Sequence, residues 1–303
     1  MAVSNAVSAL KADGFDIEAV TRRGYRLTGA PDRLDSIGLG AFLPAERLKN
    51  LTCLDTVDST NLKLRALASS GAGDRHALIA GEQTGGRGRQ GRSFSSPKDK
   101  GIYLSVLFRP ENGPAIISAN DVPMITAWTA VAVCRAIERV SKARPEIKWV
   151  NDLLMNRKKI CGILSELSFE AESFSVQYVI IGIGVNVSET PEDFPEEIRE
   201  IASSIEQETG RSVSRAELAA AMIEELDSML DDFPEKKREY LEEYRSSCIS
   251  AGREVLFDLR GTRMRGRALA VNDDFSLSIR TADGNIVNLS QGEASVRGLY
   301  GYT

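Results

Sequence analysis

The sequence predicts an α+β protein: a main domain of interleaved helices and strands, followed by a small all-β barrel. Three observations carry this. Helix-period and strand-period segments alternate from about residue 38 to residue 250. Beyond Gly252 the texture changes to short alternating segments separated by Asp-Gly and Asn-Asp turns. A chain of 303 residues has room for one main domain and one or two small ones.

Taken in order, Val3–Ala12 has helical composition and ends at Asp13-Gly14. Asp16–Leu27 reads as a two-stranded ribbon with Arg22-Arg23-Gly24 at its tip, and Thr28–Ser36 as a linker. In the main domain, strands are expected at Thr52–Val57, Ala77–Gln83 and Gly101–Arg109, with a helix over Asn61–Ser70 and a long polar loop over Gly85–Lys100. Asp121–Val140 places Ile125, Trp128, Val131, Ala132 and Ile137 at helical spacing. Strands follow at Glu146–Met155, Lys159–Phe169 and Val176–Val187, then helices at Ser214–Asp232 and Lys236–Ser250. The barrel segments are Glu254–Leu259, Arg263–Val271, Leu277–Arg280 and Ile286–Leu289.

Composition removes several function classes. The apolar fraction of 42% and charged fraction of 27% are those of a soluble globular protein, and no apolar run approaches the ~20 residues of a bilayer span. The N-terminus becomes charged too early for a signal-peptide core, so cytoplasm is the expected location. Cys53, Cys134, Cys161 and Cys248 form no CxxC pair, and His76 is the only histidine. A disulfide framework, a structural zinc site and chemistry built on a histidine base therefore have no material, and no protein-held metal site is expected. A net charge of −5 argues against a chain that binds nucleic acid over its whole surface.

Against that acidic background, Gln83-Thr84-Gly85-Gly86-Arg87-Gly88-Arg89-Gln90-Gly91-Arg92 is a positive focus. Its glycines let backbone N–H groups approach an anion, and its arginines supply permanently charged forks for carboxylate and phosphate oxygens. The plain alternative is a solvated basic turn. Gly86-x-Gly88-x-x-Gly91 also matches the dinucleotide fingerprint, but no helix opens after it because Ser93–Lys98 is loop-like. A second motif pairs Lys148-Trp149-Val150-Asn151-Asp152 with Lys158-Lys159-Ile160-Cys161-Gly162. Asn156-Arg157 between them reads as a hairpin turn that returns Lys159 towards Asn151 and Asp152; the alternative is an ordinary surface hairpin. Asp58-Ser59-Thr60-Asn61 precedes an apolar helix and reads at least in part as an N-cap. Gly182-Ile183-Gly184-Val185-Asn186-Val187 closes a buried strand whose glycines permit close packing or close ligand approach.

Together and in this order, these motifs resemble those of the biotin protein ligases. The matching blocks are DSTN (58–61), EQTGGRGRQGRSF (82–94), GIYLSVLFRP (101–110), KWVNDLLMNRKKICGIL (148–164), GIGVNV (182–187) and GEASVRG (292–298). The resemblance implies a mixed sheet with packed helices, like that of class II aminoacyl-tRNA synthetases, and a C-terminal SH3-like β-barrel. It implies biotin and ATP as substrates, with Mg²⁺, formation of biotinyl-5′-AMP, and transfer of biotin to a lysine of a biotin carboxyl carrier protein of a carboxylase. By position, Ser59, Thr60, Asn61 and Gln83 match residues that hold biotin, and Arg87, Gly88 and Arg89 match the loop that orders over biotin and the adenylate. Arg89 matches the arginine that retains the intermediate, and Lys159 the lysine near the biotin carboxylate and α-phosphate. Asp152 matches the aspartate that assists the acceptor lysine, and Asn186 an asparagine of the nucleotide region. Two departures are visible. Val150 stands where many members have proline, which should alter only local stiffness, and Phe94 stands where many have tryptophan, keeping an aromatic face for adenine.

Domain boundaries follow: residues 1–36 resemble the end of a winged-helix domain plus linker, 37–250 the ligase domain, and 251–303 the barrel. Arg22 and Arg23 sit where a wing contacts phosphates, but the first helices of such a domain are missing, so specific operator binding is not expected of this chain. A biotin-responsive repressor and a lipoate-type ligase are the alternative functions. A homodimer through the ligase sheet accords with the resemblance.

Overall fold

The computed structural model describes residues 2–110, 121–169, 176–259, 261–290 and 296–298. The chain opens with α1 (Ala2–Ala12), followed by β1 (Asp16–Val20) and β2 (Gly24–Gly29), which pair antiparallel. Their turn uses left-handed backbone at Arg22 (φ 62°) and Gly24 (φ 94°), the job the Arg-Arg-Gly tip is suited to. Two short helices follow that hydrophobic periodicity did not reveal, α2 (Ser36–Leu39) and α3 (Ala45–Leu48). The first is set by Asp35, whose Oδ1 accepts from the Ile37 and Gly38 N–H groups at 3.0 Å each.

The main domain then runs β3 (Leu51–Leu54), α4 (Thr60–Ser69), β4 (Ala77–Ala80), β5 (Gly101–Phe108), α5 (Val122–Ser141), β6 (Glu146–Lys148), β7 (Asp152–Met155), β8 (Lys158–Phe169), β9 (Val176–Asn186), α6 (Ile205–Thr209), α7 (Arg215–Asp232) and α8 (Lys237–Ser247). Its seven strands lie in the order β3-β4-β5-β9-β8-β7-β6. Only β3 and β4 are parallel, so the sheet is mixed as expected.

Strand alternation decides what each face meets. On one face, Ile102, Leu104, Val106 and Phe108 of β5 and Val179, Ile181, Ile183 and Val185 of β9 enter the main core beneath α5 and α7. Trp128 of α5 is fully buried there, stacked on Tyr240 of α8 at 4.0 Å and edge-on to Phe233 at 5.1 Å. On the other face, Leu64 and Ala68 of α4 form a smaller cluster with Leu78, Leu107, Tyr178 and Ile180, edged by Leu54, Leu67 and Ala72. The next residues along those strands, Ser105 of β5 and Gly182 and Gly184 of β9, carry no large apolar side chain for a helix to cover. That bare stretch is where the site forms.

The stretch Glu146–Met155, expected as one strand, is two. β6 and β7 fold back on each other with Lys148 opposite Asp152, and Trp149-Val150-Asn151 makes the turn. Apolar content hid the break, because Trp149 and Val150 are themselves buried. The Trp149–Val150 peptide is cis.

Beyond α8, β10 (Glu254–Leu259), β11 (Thr262–Val271), β12 (Leu277–Thr281), β13 (Ile286–Leu289) and β14 (Val296–Gly298) form an antiparallel sheet in the order β13-β12-β11-β10-β14, fitting an SH3-like unit. The strand β14 was not foreseen. It falls in the GEASVRG block, of which residues 292–295 lie outside the described residues. The turn between β11 and β12 docks directly behind Trp149. The Trp149 indole N–H donates to the Phe275 carbonyl at 2.9 Å, and the Trp149 backbone N–H donates to Ser250 Oγ at 3.0 Å. Phe275 is buried, with left-handed φ of 63°, and meets Tyr244 edge-on at 5.8 Å. Trp149→Phe therefore leaves a buried carbonyl without its donor and should lower unfolding stability by about 1–3 kcal/mol. Urea denaturation reads this as a lower midpoint at unchanged slope; an unmoved midpoint would show that the contact carries no stability. No helix among the described residues is long and apolar enough to cross a membrane.

Candidate active site

Three strands make the floor. In register, Gly182 lies between Ser105 and Leu164, and Gly184 between Tyr103 and Gly162. The glycines are required by close approach. A Cβ on Gly182 would lie 2.2 Å from Asn61 Oδ1, and one on Gly184 would lie 2.5 Å from Phe94 Cε1.

The polar end of the pocket comes from the first turn of α4. Ser59 occupies the N-cap position, with extended φ of −152°, but its hydroxyl makes no cap bond, contrary to the capping role expected for this motif. Asp58 Oδ1 instead accepts from the Ser59 N–H at 2.7 Å. Gln83 Oε1 accepts from both the Thr60 N–H (2.9 Å) and Thr60 Oγ1 (3.0 Å), so a side chain 23 residues away satisfies a free helix N–H. The buried Ser59 hydroxyl thus faces the pocket without a helix-capping duty. Asn61 donates to Glu166 Oε2 (2.8 Å) and the Leu164 carbonyl (3.3 Å), and its Oδ1 accepts from Ser105 Oγ (2.6 Å). The fully buried Ser105 and the half-buried Glu166 were both missed by the sequence reading. A serine within GIYLSVLF, and the lone carboxylate of Lys158–Phe169 at the same parity as Gly162, were the available signals.

The arginine–glycine loop closes over this floor. It is not a bare solvated turn: Arg87 and Ser93 form a bridge, and Arg89–Gly91 makes one 3-10 turn with Gln90 left-handed at φ 55°. Arg87 Nη1 reaches Glu166 Oε1 at 3.4 Å, while Arg89 Nη1 donates to Asn151 Oδ1 at 2.9 Å. Burial pulls the Arg89 guanidinium below its ordinary pKa; Asp152 opposes that and Arg92 adds to it. The guanidinium keeps its charge regardless.

The hairpin reasoning holds. Asn156 (φ 46°) and Arg157 (φ 68°) both adopt the left-handed backbone that a two-residue hairpin turn needs. The returning strand, bulged at Ile160 opposite Leu153 and Leu154, brings Lys159 Nζ to 2.6 Å from Asp152 Oδ1. Lys159 and Arg89 thus converge on the junction between two cavities that both residues line. The narrow one holds Ser59, Thr60, Asn61 and Gln83. The wide one reaches Asp152 and Asn186 and is bounded by Phe194, Ile198, Ile201 and Ala202, from a segment that carried no motif. Phe94 and Gly88 border both, and the Phe94 ring lies 5.9 Å from Lys159 Nζ. Asn186 is buried, with its amide donating to the Ser203 carbonyl at 2.9 Å, so it ties that segment to the sheet. Asn151, also unassigned from sequence, supports both sides: it accepts from Arg89 and donates to the Ile163 carbonyl (3.0 Å) and Asp152 Oδ1 (3.3 Å).

The arrangement is suited to two anions. A polar ring-sized recess opens past an aromatic divider into a wider cleft, with an ammonium and a guanidinium at the joint. The sequence model of the Biotin/lipoate A/B protein ligase family matches residues 53–186. The bifunctional ligase/repressor BirA of Bacillus subtilis is 32% identical over 292 residues, an alignment spanning 93% of this chain and 86% of the relative. A biotin–[acetyl-CoA-carboxylase] ligase of Mycobacterium tuberculosis is 28% identical over 256 residues, spanning 81% of this chain and 88% of the relative. Among solved structures, biotin protein ligase from Aquifex aeolicus in complex with biotin and ATP aligns at a TM-score of 0.70 and 29% identity, covering 82% of this chain and 99% of that one. With a relative 32% identical along nearly its whole length and five of the six sequence blocks folded around one cleft, the chain belongs to the biotin protein ligase family.

Proposed function

We propose that the protein is a biotin–[acetyl-CoA-carboxylase] ligase, which activates biotin with ATP to biotinyl-5′-AMP and transfers biotin to a lysine of a biotin carboxyl carrier protein. The observation that carries this is the convergence of Lys159 and Arg89 at the neck between a polar recess and a wider cleft. The recess takes the biotin ring, with Ser59, Thr60, Asn61 and Gln83 meeting its polar atoms and the glycine floor admitting its apolar face. The wide cleft takes the nucleotide, with Phe94 as divider and Asn186 at its far wall.

In the first step the biotin carboxylate attacks the α-phosphate, and pyrophosphate leaves. The obstacle is the approach of two anions, and Lys159, Arg87 and Arg89 offset the charge that builds there. Gly88 lets the loop backbone come close to the ligand. Mg²⁺ would come with the ATP phosphates, as part of the substrate. In the second step a neutral lysine amine of the acceptor attacks the mixed anhydride and AMP leaves. Asp152, at the rim of the cleft, orients that amine or takes its proton.

The recess also argues for biotin over lipoate. Ser59, Thr60, Asn61 and Gln83 give the recess a polar end, and a site built to hydrogen-bond its ligand rejects analogues such as a dithiolane ring that lack matching groups. Pyrophosphate release measured with biotin and with lipoate, followed by mass measurement of a carrier domain incubated with biotin and Mg-ATP, tests the reading. Lipoate turning over as fast as biotin, or a carrier of unchanged mass, defeats it.

The domain reading is 1–36 as a winged-helix end and linker, 37–250 as ligase and 251–303 as barrel. Within residues 3–29 only Phe15 is buried, which is too little to hold a DNA-reading unit rigid by itself, so specific DNA binding is not assigned to this segment. The use of ATP supports a cytoplasmic setting, and a homodimer through the ligase sheet is the assembly to test by sedimentation.

A further inference from the structure

One carboxylate outside the residues just assigned gathers three donors. Glu166, on β8, is 17% exposed; its Oε1 lies 3.4 Å from Arg87 Nη1 and 3.3 Å from Arg65 Nη2, and its Oε2 accepts from Asn61 Nδ2 at 2.8 Å. The polar chain continues from there. Ser105 Oγ shares its single hydroxyl hydrogen between Asn61 Oδ1 and Thr60 Oγ1 (2.8 Å); Thr60 Oγ1 donates to Gln83 Oε1, Gln83 Nε2 donates to Ser96 Oγ at 3.0 Å, and Ser96 Oγ donates to the Phe94 carbonyl at 3.1 Å. The chain starts on Arg87 at one end of the arginine–glycine loop and finishes on Phe94 at the other. It runs through the side chains that line the recess.

We propose that Glu166 is a positioning residue that latches the loop over the recess and fixes the Asn61 amide with its oxygen inward. Both amide hydrogens of Asn61 are committed, one to Glu166 and one to the Leu164 carbonyl, so a flipped amide loses both bonds and turns its donors towards Ser105. The inward oxygen, seated over Gly182, is an acceptor for a ring N–H. Arg87 is 44% exposed, and an ion pair that open contributes little by itself. It becomes effective because its carboxylate is already held by Asn61 and Arg65, so no side-chain freedom remains to be lost on the acceptor side. Ligand recognition and loop closure therefore share one hydrogen-bonded unit, and Glu166 is the joint.

This rests on the proposed biotin-ligase reading, and its test separates the two. The wild-type chain must first adenylate biotin; failure there defeats the function and not the latch. In Glu166→Gln, KM for biotin should rise about tenfold while kcat at saturation changes less than about threefold, and release of preformed adenylate should quicken about tenfold. Arg87→Gln should release faster as well, and the double variant no faster than the worse single one. Wild-type KM and release in Glu166→Gln, or single effects that multiply in the double variant, overturn the latch. Should Glu166→Gln fold poorly, hydrogen exchange of residues 86–92 in unliganded Arg87→Gln decides: faster exchange than wild type supports the latch, and unchanged exchange overturns it.

Discussion

Lys159→Ala should slow biotinyl-adenylate formation by about 10²–10³-fold, the scale of deleting one preorganised stabilising donor. Its Nζ sits 2.6 Å from Asp152 Oδ1, three-quarters shielded from water, at the neck shared by both cavities. Removing the ammonium does two things. It takes away the cation nearest the meeting point of carboxylate and phosphate, and it leaves the Asp152 carboxylate facing incoming anions without that neutralising partner. The loss should therefore fall mainly on kcat, with a smaller rise in KM for ATP. Lys159→Arg should recover only part of the rate, because a planar fork replaces a compact charge in a space already shared with Phe94 and Asp152. Single-turnover pyrophosphate release is the measurement. Wild-type adenylation in Lys159→Ala would remove this residue from the chemistry, and with it the main support for the proposed mechanism.

Much of this site was legible in the sequence because its parts are local. The Asn156-Arg157 hairpin predicts the meeting of Lys159 with Asp152, since two residues in left-handed backbone reverse a strand within a fixed distance. The loop glycines predict close backbone approach, and the two strand glycines lie on the floor where a side chain would block the recess. What stayed hidden depends on register between distant strands. Ser105 and Glu166 become site residues only when β5, β9 and β8 align so that the odd-numbered positions of β5 share a face with the even-numbered positions of β9 and β8. The wall at Phe194, Ile198, Ile201 and Ala202 was invisible for a different reason, being ordinary apolar residues in a segment with little regular structure. The split of Glu146–Met155 was missed because a buried turn has the same composition as a buried strand. The N-cap expected of Asp58–Asn61 is met in position by Ser59 but not by its side chain, because Gln83 supplies the acceptor from across the sequence.

Arg89→Gly should leave adenylate formation within a few-fold of wild type and speed its escape to solvent by about 10–100-fold, since charge-assisted hydrogen bonds are each worth roughly 1.5–3 kcal/mol. The asymmetry follows from where the guanidinium is anchored. Arg89 Nη1 bonds Asn151 Oδ1, and Asn151 is itself fixed by the Ile163 carbonyl, so the arginine spans the neck from loop to sheet like a bar. Lys159 remains in place to support the chemical step, whereas the loop loses the Arg89–Asn151 tie to the β6–β7 turn. Glycine also adds backbone freedom within a stretch that already contains Gly85, Gly86, Gly88 and Gly91, so the loop opens more often as well as more weakly. A chase with unlabelled substrate after one turnover reads the escape rate directly. Escape as slow as wild type would show that Arg89 does not retain the intermediate, and would shift that role to the Arg87–Glu166 side of the loop. Escape unchanged but formation reduced a hundredfold would instead make Arg89 a partner of Lys159 in the first step, which the buried position of its guanidinium beside Asp152 also permits.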